Sequence, residues 1–132
     1  MNLLRTLIVS FIIIPVLTTN SYAINNTEIV INNAINSEHR TKENKTRDTY
    51  RHPNKTLLFF GIKPNIKVLE ILPGRGWYTE ILAPILKDNG QLTVASFGDN
   101  HPNDYLRDVH LKYIKNLDKT PSVYGNVRRI VF

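Results

Sequence analysis

One segment carries residue types at spacings that can do chemistry, Val68 to Thr79, reading VLEILPGRGWYT. An apolar run holds a single acid near its end, Glu70, and Pro73-Gly74-Arg75-Gly76 breaks it. Glycines at a strand-to-helix turn let the backbone approach a ligand closely, because no Cβ stands in the way. The start of the following helix favours polar or anionic groups. Trp77 and Tyr78 then either wall a pocket or pack at the helix start. Two further polar residues are candidates. His52, before Pro53, is either a general base working near neutral pH or the residue at which a helix begins. Asp99 follows the next predicted strand. His39, His101 and His110 lack mutual metal-ligand spacing, so no metal site is expected and all three read as surface residues. The chain has no cysteine, which excludes disulfides, cysteine–zinc and iron–sulfur sites and a thiol nucleophile.

The loop narrows the class of ligand. Gly74-Arg75-Gly76-Trp77-Tyr78-Thr79 places Thr79 where a dinucleotide fingerprint needs its third glycine. The Gly-Lys-Ser/Thr ending of a phosphate loop is missing. An acid at the strand end, two glycines and no phosphate-binding lysine fit a ligand with an amino acid and a nucleoside but no phosphate. S-adenosylmethionine is such a ligand.

The surrounding elements must present this loop at a sheet edge. Pro53 suits a first helical position, and Gly61 a residue just past a helix end. Ile66 to Leu72 reads as a buried strand. Trp77 to Lys87 reads as a helix bent or shortened by Pro84. Gln91 to Phe97 is a second strand. Asn103 to Leu117 is a helix whose core side carries Leu106, Val109, Tyr113, Ile114 and Leu117. Thr120 to Gly125 reads as a loop, and a third strand begins at Val127. This alternation predicts an α/β fold with a parallel sheet and right-handed crossovers.

The 132 residues allow one small domain, and 42% hydrophobic with 21% charged residues is globular composition. Residues 1–23 read as a signal peptide. Arg5 precedes the apolar run Leu7 to Leu17, and Ser21-Tyr22-Ala23 offers small residues for cleavage. That core is about eleven residues, against about twenty needed to span a bilayer. The protein is therefore expected to be exported, periplasmic or secreted, or membrane-anchored if the leader is retained. Residues 24–46, rich in Asn and then in charge, read as a polar mobile arm. A net charge of +6 admits anionic partners. Lys42, Lys45, Arg47, Arg51 and Lys55 cluster near the arm, but no aromatic-interleaved groove accompanies them, and nucleic acid is not the expected partner.

The runs Tyr50-Arg51-His52-Pro53, Thr56-Leu57, Phe59 to Pro64 and Val68 to Pro84 resemble a family of exported, predicted class I S-adenosylmethionine-dependent methyltransferases. The likeness extends from about Arg47 to the last residue. It implies a Rossmann-like fold for residues 47–132, with S-adenosyl-L-methionine as cofactor and a methyl acceptor of unknown kind. It places Glu70, Gly74 and Gly76 at the methionine end of the cofactor, with Pro73, Trp77 and Tyr78 beside them. Two positions depart from the pattern. Glycine is commoner where Leu72 stands, and the ribose-binding acid after the second strand is missing unless Asp99 serves. The resembled fold has seven strands in the order 3-2-1-4-5-7-6, and this sequence supplies the first three. The likeness thus implies a truncated member, impaired or inactive alone. Its first strand would be an open edge, suited to self-association or to a complementing chain. The competing reading is a non-enzymatic exported module, basic or membrane-tethered.

Overall fold

Parallel pairing organises the residues that the computed structural model describes, 26–131. The expected signal peptide lies outside them. In chain order the elements are α1 (Asn26–Asn36), α2 (Lys42–Arg51), α3 (Pro53–Phe59), β1 (Lys67–Ile71), α4 (Thr79–Leu86), β2 (Gln91–Ser96), α5 (Asp104–Asp118), α6 (Pro121–Tyr124) and β3 (Arg128–Val131). The three strands form one parallel sheet in the order β1-β2-β3. Lys67 stands beside Gln91, Ile71 beside Ala95, and Ala95 beside Ile130. The chain is thus a small α/β domain, as the alternating pattern predicts.

Local chemistry sets the element ends. Pro53 occupies the first turn of α3, where its missing N–H costs nothing. Gly61, at φ 68°, closes that helix, and the Ile62 N–H returns to the Leu57 carbonyl at 3.0 Å. The Asn103 side chain caps α5 by accepting the Leu106 N–H at 3.0 Å. Pro121 starts the four-residue α6, in a stretch expected to be a loop.

The helix contacts of Glu70 and Ser96 lie on one face of the sheet. Glu70 reaches Thr79 of α4, and Ser96 reaches His110 of α5. Leu92 and Val94, on that same face, join Ile81, Leu82, Ile85 and Leu86 in the core. Leu69 and Ile71 point the other way and stay 55% and 63% exposed. Among the described residues β1 pairs only with β2, so its outer side is an edge.

The N-terminal segment corrects the expectation of a polar mobile arm. Residues 26–36 and 42–51 are helices, the first anchored by its few apolar side chains and the second by polar contacts. Ile31 and Ala34 are buried in the core, and α1 packs on α3 and α4. In the charged run Glu38, Lys42 and Glu43 are exposed, as a solvated face requires, and Arg40 is the exception. Arg40 is buried, and its guanidinium forks onto the Asp48 carboxylate at 2.7 and 2.9 Å. It also lies 3.7 Å from Glu80 of α4.

Pro84 explains a further tie. It sits inside α4 and has no N–H to give to the carbonyl four residues earlier, that of Glu80. His39 donates to that carbonyl instead, from Nε2 at 2.8 Å. The bond fixes the proton on Nε2 and fastens the α1–α2 connection to α4. The same ring packs edge-on against Tyr124 of α6, 5.7 Å between centroids. His39 is therefore half-buried, contrary to its expected surface role.

Candidate functional site

β1 delivers Glu70 to the carboxyl edge of the sheet, and the loop that follows turns sharply. Three of its residues have positive φ: Leu72 at 53°, Gly74 at 59° and Gly76 at 81°. Only glycine accepts this region freely, and for a leucine it costs about 1–2 kcal/mol. The departure noted at Leu72 is thus a real conformational demand, met here by a residue that is strained by it.

The two loop glycines serve different ends. A Cβ built on Gly76 would lie 2.9 Å from the Tyr113 ring, so Gly76 lets the loop press onto α5. A Cβ built on Gly74 meets nothing within 4 Å. The space beside Gly74 opens into a groove of about 660 Å³.

Glu70, Pro73, Gly74, Trp77 and Tyr78 all line that groove, so five of the expected site residues come together. Gly76 faces Tyr113 instead. His52 lies exposed between α2 and α3 at φ 47°, its N–H bonded to the Asp48 carbonyl, and does not line the groove. It serves as the junction of two helices, ending α2 and starting α3.

Thr79, standing where a third glycine would be, is fully buried and holds the acid in place. Its hydroxyl donates to Glu70 Oε2 at 2.7 Å and accepts from the Tyr113 hydroxyl at 3.1 Å. Burial pushes the Glu70 carboxyl up to about 7, against the lowering effect of the Thr79 hydrogen bonds. Burial raises the Tyr113 hydroxyl as well. Glu70 can therefore hold or release a proton near neutrality, as the groove's contents demand.

Trp77 both packs and lines. It is 2% exposed, and its indole N–H is shared between the Asn44 carbonyl and the Asp48 carboxylate, each at 3.0 Å. The Arg51 guanidinium lies over the ring, 4.7 Å from its centroid. Arg47, one turn before Arg51 on α2, and Arg75 of the loop reach the same groove. The direction of Arg47 and Arg51 was hidden in the sequence, because reading residues 24–46 as an arm left α2 without an orientation.

Asp99 stands apart from the groove but not from the sheet edge. His110 bridges Ser96 and Asp99, with Nδ1 3.1 Å from Ser96 Oγ and Nε2 3.1 Å from the Asp99 carboxylate. His110 is buried, which corrects its reading as a surface residue. The signal was present, because Leu106, His110, Tyr113 and Leu117 form one helical stripe. His110 and Ser96 line a second, largely apolar cavity of about 310 Å³. Leu72, Pro73 and Gly74 border both spaces, so the glycine loop is the ridge between them.

Comparison with protein-family models, with curated proteins and with solved structures returns no match; what stands is a small α/β domain with a three-strand parallel sheet.

Proposed function

We propose that the two spaces flanking the glycine loop bind S-adenosylmethionine, and that the chain forms the cofactor-binding part of a Rossmann-like class I methyltransferase domain. The observation that carries this reading is the open space beside Gly74 next to Glu70, at the carboxyl edge of a parallel sheet. Ligands of open α/β folds bind at that edge. The strand order supports the reading too, since β3-β2-β1 is the 3-2-1 half of the resembled sheet.

The residues present fit such a ligand. A Cβ at Gly74 would project into the space that the ligand needs. Glu70 can carry the charge that complements an ammonium group, and Thr79 keeps its carboxylate aimed. An arginine of the rim complements the amino-acid carboxylate. Asp99, steadied by His110, stands after β2 as the acid for ribose hydroxyls. When bound, S-adenosylmethionine supplies an electrophilic methyl group on a sulfonium. The acceptor must be held in line with it, which is a task of positioning.

Calorimetric titration of the full chain with S-adenosylmethionine tests the reading, with folding followed by circular dichroism. Saturable binding is expected, and Gly74→Val should abolish it, circular dichroism separating the lost space from the left-handed strain that valine adds at this position. The affinity should climb as pH rises toward about 7, because the ligand's ammonium favours ionised Glu70, and level off above. A folded chain that gives no heat would sink the assignment and leave the exported basic module as the reading.

A further inference from the structure

The groove's charge is unbalanced. Arg47, Arg51 and Arg75 line it, and Glu70 is the one acid among its lining residues. Among the described residues none of the three arginines forms an ion pair, although Arg40, Arg107 and Arg129 all do. The adjoining cleft between α2 and α5 carries Glu43 and Asp108 and is also lined by Arg75, so Arg75 faces acids on that side, whereas Arg47 and Arg51 line the groove alone; neither acid forms an ion pair with a groove arginine. Arg51 is further held by Trp77, so its guanidinium is fixed in direction before any ligand arrives.

S-adenosylmethionine does not correct this imbalance. Its sulfonium and ammonium outweigh its carboxylate, so its arrival makes the groove more positive. One guanidinium suffices for the carboxylate. The remaining charge calls for a second, anionic occupant. We propose that Arg47 and Arg51 of α2 form a recognition site for an oxyanion group, Arg75 of the loop being left to the cofactor's carboxylate, and that the methyl acceptor is a small molecule carrying that group. Planar guanidinium forks match the geometry of phosphate and carboxylate oxygens. The acceptor half of this inference rests on the cofactor reading above; the anion site itself does not.

The full chain is titrated with inorganic phosphate and, separately, with citrate, at constant ionic strength and about pH 8, where Glu70 is ionised. Saturable binding of at least one is expected, and the preferred anion tells a phosphate-bearing acceptor from a carboxylate-bearing one. Arg47→Gln, on the helix surface and free of ion pairs, should weaken binding about tenfold. Arg51→Gln should do the same, with the near-ultraviolet dichroism of Trp77 checking the fold. Arg128→Gln, on the distant β3, should leave binding unchanged. The titration with S-adenosylmethionine is then repeated in saturating anion, and tighter binding is expected. No saturable heat from either anion overturns the site. So does binding that is indifferent to Arg47→Gln and Arg51→Gln, or lost equally in Arg128→Gln. Anion that competes with S-adenosylmethionine overturns the acceptor assignment, because the arginines then serve the cofactor's own carboxylate. Anion binding to a chain that ignores S-adenosylmethionine upholds the site and removes the acceptor role along with the cofactor reading.

Discussion

Glu80 and Glu70 sit in neighbouring elements and are treated in opposite ways. Burial raises both carboxyls. Around Glu80 the fold supplies compensation: Asn44, the Thr41 N–H at 3.3 Å, and the Arg40 guanidinium that also grips Asp48. Around Glu70 it supplies the Thr79 hydrogen bonds and no cation. The first acid is a closed joint that fastens α2 to α4. The second is left open, in a groove with arginines that do not pair with it. A buried acid with its partners in place holds a structure together, whereas one without them is free to answer to a ligand.

Breaking the closed joint should have the largest effect. Arg40→Met leaves the buried Glu80 and the part-buried Asp48 without their cation, and the loss should be about 3 kcal/mol in urea denaturation. Adding Asp48→Asn and Glu80→Gln should recover most of it, because the charges needing compensation are gone. Little recovery would mean that Arg40 acts by shape rather than by charge.

The open acid predicts a pH effect. The native Glu70 holds its proton between about 4.5 and 7, a window in which the unfolded chain has released it. The folded state then binds more protons, so stability declines as pH rises through that window. The decline from this group should be about 3 kcal/mol. Glu70→Gln, which still accepts the Thr79 hydroxyl, should flatten the curve and be the more stable protein at alkaline pH. Parallel curves for the two proteins would remove the contrast between the two acids.

Smaller effects separate the two regions further. His39→Ala orphans the Glu80 carbonyl that Pro84 leaves free, and should cost about 1–2 kcal/mol. Pairing it with Pro84→Ala, which restores the helix's own donor, should return part of that loss. Leu72→Gly relieves the left-handed strain at the loop and should stabilise the fold by about 1 kcal/mol. A loss on that change would mean that the leucine side chain contributes more by packing than its backbone costs.

The two regions also differed in how readable they were. Strands and helices from Pro53 onward follow short-range rules: apolar runs of strand length, a proline at a helix start, glycine after a helix end. Glu70, Pro73, Gly74, Trp77 and Tyr78, the positions that the resemblance singled out, stand on one groove of the elements so placed. The segment before Pro53 obeys a long-range rule instead. Glu80 lies far in sequence from Arg40 and Asp48, and nothing local marks Arg40 as buried. The same limit hid Arg47 and Arg51 from the groove, since their direction depends on how α2 docks. His110 was a different miss, because its place on the stripe of Leu106, Tyr113 and Leu117 was visible and its polarity was given too much weight. Gly76 was assigned to a ligand and turned out to face Tyr113, a contact that spacing within the loop cannot reveal.

The open edge of β1 has a consequence in time rather than in space. Leu72 donates its N–H to Ala95, and Ile66 accepts from Gln91, so even-numbered residues of this strand face β2. The N–H groups of Lys67, Leu69 and Ile71 therefore point outward to water. In deuterium oxide these three should exchange like an unstructured chain, while Val68, Glu70 and Leu72 between them hold their protons. One strand would thus keep two clocks, alternating residue by residue. A partner that settled on the edge would announce itself by stopping the faster one.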